Sequence, residues 1–160
     1  MTSSPPRLSP LLRRLLATPT YLYDVGAGWL LGRRFLRLTH IGRRTGRRYR
    51  TMLEVIAEDR RSGEVLVMAG LGRSAQWLRN VQAGNAVEVA IAHDRFKPRL
   101  RMLTPDEASE VLAGYERRNR WLAPIVRRVL SRLVGWRYDG SAAARMRLVT
   151  QLPVVGLRPV

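Results

Sequence analysis

The sequence predicts an α+β fold, a small barrel of about six mainly antiparallel strands with flanking helices. Three observations carry that expectation. Segments alternating apolar and polar residues follow one another in series, without the strand–helix–strand rhythm of a parallel sheet. Helical periodicities gather at the two ends of the chain and at one short insertion. The 160 residues, 46% of them hydrophobic, suffice for one core of this kind and are too few for two comfortable ones.

In chain order, Leu8, Leu11, Leu12, Leu15 and Leu16 form one stripe of a basic amphipathic helix, with Arg7, Arg13 and Arg14 on other faces. Such a helix either packs on its own domain or lies on an anionic membrane. The stretch YLYDVGAGWLLGRR (21–34) reads as a second short helix, so residues 1–34 form an N-terminal helical segment and 35–160 the barrel domain. FLRLTHI alternates as a strand, an Arg/Gly turn follows, and TMLEVIAE resumes as a neighbouring antiparallel strand. EVLVMAG is the third strand, and Ser74 is placed to cap a helix through SAQWLRNVQAG. AVEVAIA and RFKPRLRML supply two more strands, the latter demoted to an edge or a bulge by Pro98. Thr104-Pro105-Asp106-Glu107 is a capping box that opens a helix. Leu122, Ile125, Val126, Val129, Leu130, Leu133 and Val134 stripe the next, which Pro124 separates or kinks, and Ser141 caps a third. LPVVGLRP closes the chain as a strand.

Composition removes several chemistries. With no cysteine there is no disulfide, thiolate nucleophile or cysteine-held metal, which suits a reducing cytoplasm. The two histidines, His40 and His93, have no acid at ligand spacing, so no metal site is expected. The serines lack a nucleophile-elbow context and no carboxylate pair suggests glycosidase chemistry. Arg13 and Arg14 break the apolar run that a signal peptide would need, and the window from Leu15 to Leu31 is too interrupted to span a membrane. The formal charge is +17, and Lys97 is the only lysine among 29 basic residues. Eight arginines and no acid lie between Asp24 and Glu54, and nine arginines against Asp139 alone lie from Arg117 to Arg147. Clustering of this kind points to anionic ligands, anionic lipid or nucleic acid. Nucleic acid is the weakest of these, because the chain lacks the aromatic interleaving of single-strand binders and any groove-reading motif.

The densest cluster is HIGRRTGRRYRT (40–51). Its two glycines free the backbone to turn tightly and bring N–H groups toward an anion, Thr45 adds a hydroxyl, and Arg43 and Arg44 offer planar forks that match phosphate or carboxylate. The other reading of the same residues is an arginine-rich hairpin tip facing water.

The run LTHIGRRTGRRYRTMLEV resembles the signature of the deazaflavin-dependent nitroreductase and quinone reductase family, in which a strand leads into Gly-Arg-(Lys/Arg)-(Ser/Thr)-Gly, basic residues and an apolar strand. Further landmarks follow in the family's order. EVLVMAG precedes a glycine-containing loop, AQWLRN is similar to a Trp-(Tyr/Leu)-x-Asn helix, TPDEA opens a helix, and LPVVGLRP closes the chain. Where many members carry Lys-Pro-Arg after the motif, this chain has Arg47-Arg48-Tyr49-Arg50, and Met52 replaces a common proline. The resemblance implies a flavin-reductase-like split β-barrel and the coenzyme F-420, whose phosphodiester and glutamate tail are both anionic. It implies that Arg43, Arg44, Thr45 and Gly46, with Arg50, hold the phosphate and tail, and that Thr51, Met52 and Leu53 line the deazaflavin ring. Met68, Ala69, Gly70, Gly72 and Arg73 would form the opposing wall, with Trp77 behind it. Tyr115, Trp136 and Tyr138 could stack on the acceptor or belong to the core, and Tyr138 could donate a proton.

The function so implied is hydride transfer from reduced F-420 to a quinone, nitroaromatic or similar unsaturated acceptor. Side chains then position the reactants and exclude water, which requires neither a triad nor a metal. The alternatives are an FMN-binding split-barrel protein and a module that binds F-420 or nucleic acid without turnover. A lipid-soluble acceptor would fit peripheral attachment to the inner face of an anionic membrane through the Leu8–Leu16 stripe and the Leu122–Val134 helix.

Overall fold

The computed structural model describes residues 32–160. The Leu8–Leu16 helix and residues 21–31 of the second expected helix lie outside the described residues. Seven strands form one antiparallel sheet: β1 (Phe35–Ile41), β2 (Arg48–Asp59), β3 (Glu64–Met68), β4 (Ala86–Ile91), β5 (Asp94–Phe96), β6 (Pro98–Met102) and β7 (Val154–Pro159), in the order β5-β4-β1-β2-β3-β7-β6. The sheet curls until β4 also touches β6, which nearly closes a barrel. The count exceeds the expected six because the 95–103 segment becomes two strands. Proline cannot donate to a ladder, and the chain leaves β5 just before Pro98. Both pieces sit at the sheet edges, as that proline predicts.

Phe35–Ile41 and Arg48–Asp59 pair across the GRRTG turn in the register Leu36↔Leu53, Leu38↔Thr51, His40↔Tyr49. These six residues therefore share one face, and Leu36, Leu38 and Leu53 point into the barrel core with Val65, Val67, Val89 and Leu157. A register shift between Val55 and Ala57 bulges β2 at Ile56, so Ile56 and Ala57 both face a second core outside the barrel while Val55 packs on the barrel core.

That second core lies between the sheet and three helices, α2 (Pro105–Arg118), α3 (Ala123–Val134) and α4 (Ala142–Gln151), and contains Leu66, Leu112, Tyr115, Leu130, Tyr138, Leu148 and Val154. The capping box forms in both directions, with Glu107 N donating to Thr104 Oγ1 at 3.3 Å and Thr104 N to Glu107 Oε2 at 2.8 Å. Pro124 sits in the first turn of α3, after a 3₁₀ turn at Arg120–Leu122, so it starts that helix and does not kink it. Ser141 caps α4 by accepting from Ala144 N at 3.2 Å. The short helix α1 (Gln76–Gln82) begins one residue later than expected: Ser74 belongs to a 3₁₀ turn and its hydroxyl donates to Leu71 O, leaving Ala75 at the N-cap.

Glu64 ties the sheet to α2. Its buried carboxylate accepts from Arg101 Nε at 2.9 Å and Nη2 at 3.1 Å, and Arg101 also reaches Glu107. A side chain at Gly156 would collide with that carboxylate, so the glycine makes room for the ion pair.

Candidate active site

Two cavities flank the same stretch of β2. The first, of about 500 Å³, opens where the β1–β2 turn meets α1. Both glycines of the turn are required by geometry. A Cβ at Gly42 would stand 2.5 Å from Thr45 Oγ1 and 2.7 Å from the Tyr49 ring, and Gly46 has φ of +65°. The turn closes through Gly42 N to Arg47 O and Gly46 N to Gly42 O, each 2.8 Å. Arg43 N donates to Asn80 Oδ1 at 3.1 Å and Arg47 N to Thr45 Oγ1 at 3.3 Å. Four of the turn amides are thus engaged inside the protein. The backbone cradle expected from the glycines is not the main anion donor, and the guanidiniums take that role.

Asn80 organises this end of the molecule. It lies on α1 at 4% exposure, and its Oδ1 accepts from both Arg43 N and Arg43 Nη1, the latter at 3.0 Å, while Gln76 Oε1 takes a second bond from Nη1 at 3.0 Å. With Oδ1 so used, Nδ2 faces His40 Nδ1 at 3.0 Å and must donate to it. The imidazole proton is then on Nε2, which donates to Thr51 Oγ1 at 3.1 Å and leaves the threonine hydroxyl proton free to donate in turn. Tyr49 stacks on His40 with centroids 5.8 Å apart, and its hydroxyl pairs with Thr45 Oγ1 at 3.1 Å. Burial lowers the His40 pKa, which favours the neutral ring this network needs. Arg43 is consequently oriented by neutral acceptors that leave its charge uncancelled, unlike Arg33, Arg101 and Arg145, which all pair with acids.

The second cavity, of about 370 Å³, has Met68 and Gly70 at the end of β3 on one side and Ile125, Val126 and Val129 of α3 on the other, with Ile56, Leu112 and Leu133 between. Its polar pole is Glu54, which accepts from Tyr115 Oη at 2.7 Å and Arg34 Nη2 at 3.2 Å. Burial and the bond to Glu54 raise the Tyr115 pKa, so the phenol keeps its proton. The two cavities share no lining residue. Thr51 and Leu71 line the first, Glu54 and Gly70 the second, and Glu54 stands roughly 10 Å along β2 from Thr51 and on the opposite face of the strand.

A family sequence profile described as F-420H(2)-dependent quinone reductase matches residues 20–124. The chain belongs to that family. Its members are oxidoreductases, and the description names reduced F-420 as the donor and a quinone as the acceptor. None of the curated proteins compared matches the chain. Among solved structures, the protein Atu2129 of Agrobacterium tumefaciens strain C58, of unknown function, shares the fold at a TM-score of 0.52 and 16% identity. The match covers 98% of this chain and 59% of Atu2129, so this chain spans little more than half of that protein's length. An F-420-H2 dependent reductase, FDR-A, aligns at a TM-score of 0.43 and 17% identity over 79% of this chain and 96% of its own. A pyridoxamine 5'-phosphate oxidase-related, FMN-binding protein of Nostoc punctiforme PCC 73102 aligns at 0.46 and 15% identity over 96% and 82%.

Within this F-420H(2)-dependent quinone reductase family member, the structure brings Arg43, Arg44, Thr45, Arg50, Thr51 and Trp77 to the first cavity, and Met68, Gly70 and Tyr115 to the second. Gly46 shapes the turn without lining either. Other expected contacts fall elsewhere. Leu53 and Ala69 are buried in the barrel core, because the β1–β2 register turns Leu53 inward beside Leu36. Met52 pairs with Arg37 on the opposite face of β2 from Thr51. Gly72, at φ of +67°, is needed because a Cβ there would meet Gln151 O at 2.9 Å. Arg73 is exposed and its carbonyl accepts from Arg79 Nε.

Trp136 and Tyr138 also depart from the expected acceptor role. Tyr138 is 2% exposed and donates its hydroxyl to Glu116 at 2.5 Å, while Trp136 bonds Gln151 and lies under Arg147. Both belong to the helix-side core, and the Tyr138 proton, its pKa raised by burial and Glu116, stays inside it.

His40, Asn80, Gln76 and Glu54 are site residues that the sequence reading passed over. A signal for two of them exists. Asn80 follows Trp77 by three residues, on the apolar stripe of α1, and His40 follows Leu36 and Leu38 at inward positions of β1. A polar side chain on an apolar face demands a partner.

Proposed function

We propose that this protein catalyses hydride transfer from reduced F-420 to a quinone-type acceptor, with the anionic end of the coenzyme in the arginine cavity, its ring directed along β2, and the acceptor in the apolar cavity under α3. The observation that carries this reading is the difference in lining between the two cavities, Arg43, Arg44 and Arg50 around one and Met68, Ile125 and Val129 around the other. An elongated ligand with an anionic tail and a flat ring matches that polarity. The residues present fit the coenzyme, since Arg43 is fixed with its charge intact beside Arg44, Arg50 and the Thr45 and Thr51 hydroxyls.

When bound, reduced F-420 supplies the hydride. The chain's own contribution is to hold the tail through guanidiniums, present the Thr51 hydroxyl along the path of the coenzyme, and exclude water with the α3 side chains. A quinone that accepts a hydride also takes up one proton. Tyr115 gives its one hydroxyl proton to Glu54, and the Arg34 guanidinium, which also lines the acceptor cavity, keeps N–H groups suited to orient a carbonyl oxygen there.

We extend the proposal to a lipophilic acceptor reached from a membrane surface. Among the described residues no helix is long and apolar enough to cross a membrane. However, Trp121, Ile125 and Val129 recur every four residues at 72%, 62% and 47% exposure, the last two lining the acceptor cavity, with Arg128 and Arg132 close by in the chain. Apolar residues flanked by arginines suit an anionic interface.

The test is a titration with F-420 beside FMN, followed by oxidation of the reduced deazaflavin with quinones and nitroaromatics, with and without anionic liposomes. Tight F-420 binding and quinone turnover support the reading. Preference for FMN, or binding without turnover of any acceptor, overturns it.

A further inference from the structure

The second arginine cluster, Arg117 to Arg147, takes no part in either cavity described so far, apart from the α3 helix that crosses it. Part of it surrounds a separate depression of about 550 Å³ between the C-terminal half of α2, the 3₁₀ turn, the start of α3 and the start of α4. Small residues form its floor: Ala113, Ala123 and Gly140. Its walls carry Arg117, Arg120, Arg127 and Arg145, one from each of four successive elements. No residue is shared with the lining of the coenzyme or acceptor cavity.

The charge here is not balanced locally. The one acid in the lining is Glu116, and its carboxylate already accepts from Tyr138 Oη at 2.5 Å and Arg145 Nη1 at 3.2 Å. Asp139 lies within electrostatic reach of Arg127, but it accepts from Ser141 N at 2.9 Å to shape the α4 N-cap. Arg117, Arg120 and Arg127 have no ion pair or side-chain hydrogen bond among the described residues. Arg145 donates Nη1 to Gly140 O at 2.5 Å, and its buried Nε has no hydrogen-bond partner among the described residues.

The depression is also shaped for one of these groups. Gly140 has φ of +79°, and a Cβ there would lie 2.8 to 3.1 Å from the Arg127 guanidinium. The Arg127 guanidinium thus lies directly against the Gly140 backbone. Solvated arginines that merely decorate a surface gain nothing from converging on a concave floor of small residues, where like charges repel one another. Planar guanidinium forks around such a floor match the oxygens of a phosphate group.

We propose that this depression is a second anion site, separate from the coenzyme cavity, that takes a phosphate-bearing ligand. The chemistry is common to a soluble phosphate ester and to the headgroup of an anionic phospholipid.

Pyrophosphate and vesicles of phosphatidic acid in phosphatidylcholine serve as the two probes. The full chain is used in an Arg43→Gln/Arg44→Gln/Arg50→Gln background, so that the other basic cavity loses the arginines that line it. In that background Arg117→Gln/Arg127→Gln is compared with a charge-matched control on the β2–β3 turn, Arg60→Gln/Arg61→Gln. Circular dichroism confirms that each variant is folded.

The site predicts that at least one probe binds the parent chain and loses about tenfold or more in affinity in Arg117→Gln/Arg127→Gln, with little change in the control. Loss confined to pyrophosphate identifies a soluble ligand, and loss confined to the vesicles a lipid headgroup. Equal loss in the two double variants would reduce the effect to overall surface charge and overturn the site, as would the absence of binding by both probes.

Discussion

At the turn end of β2, polar side chains from three elements hold one another in place. Arg43 bonds Asn80 on α1, Asn80 bonds His40 on β1, and His40 bonds Thr51 on β2. At the other end, three or four residues along the same strand, the cavity walls are Met68, Ile125, Val126 and Val129, with a single polar pole at Glu54 and Tyr115. The first region fixes directions: each donor has a defined acceptor, and a misplaced group loses a bond. The second fixes only volume and polarity. A coenzyme common to every turnover suits the first, and acceptors of varied outline suit the second, because apolar contact discriminates weakly between similar shapes.

The largest effect that would break this contrast comes from Arg43→Ala/Arg44→Ala. Each charge-assisted bond contributes about 1.5 to 3 kcal/mol, so F-420 affinity should fall by about a hundredfold or more with the fold intact, as read by fluorescence titration. Asn80→Leu comes next. It strands the Arg43 amide and removes the donor to His40 Nδ1, which should cost about 2 kcal/mol of stability in urea unfolding and weaken F-420 binding. Ile125→Ala/Val129→Ala sharpens the contrast from the other side. The acceptor KM should rise severalfold, on the order of 1 kcal/mol, while the F-420 Kd stays unchanged.

The smallest effect is one of pH. Burial lowers the pKa of His40 in the folded protein below its unfolded value, so the unfolded chain binds the proton more tightly. The stability that the neutral ring supports is complete above its ordinary value of about 6.5 and is lost as pH falls through that value toward the folded one. Protonation would also set Nδ1–H against the Asn80 amide, donor against donor. The wild-type Tm should therefore drop more between about pH 7 and pH 5 than that of His40→Gln, and equal slopes would remove His40 from the account.

What the sequence made legible follows from what is local. The β1–β2 pairing across GRRTG, the Thr104 capping box and the edge position around Pro98 all rest on neighbours in the chain, and all three are present. The arginines of the turn were legible for the same reason. The Asn80–His40 bond joins residues forty apart, and only the docking of α1 on β1 creates it. Leu53 and Met52 illustrate the converse. Both lie within two residues of Thr51, yet the pleat sends Leu53 into the core and Met52 to the far face. Tyr138 carried an aromatic signal that could mean acceptor or core, and packing against Glu116 and Leu148 put it in the core.

The central claim, that the arginine cavity holds the anionic tail while the apolar cavity takes the acceptor, is tested most directly by comparing F-420 with a deazaflavin that has the same ring and no phosphodiester tail. Both are titrated against the wild-type chain and against Arg43→Ala/Arg44→Ala. The account predicts that the wild type strongly prefers F-420 and that this preference collapses in the double variant, both compounds then binding with similar weak affinity. Equal affinity of the wild type for the two compounds, or a preference that survives in the double variant, would contradict it.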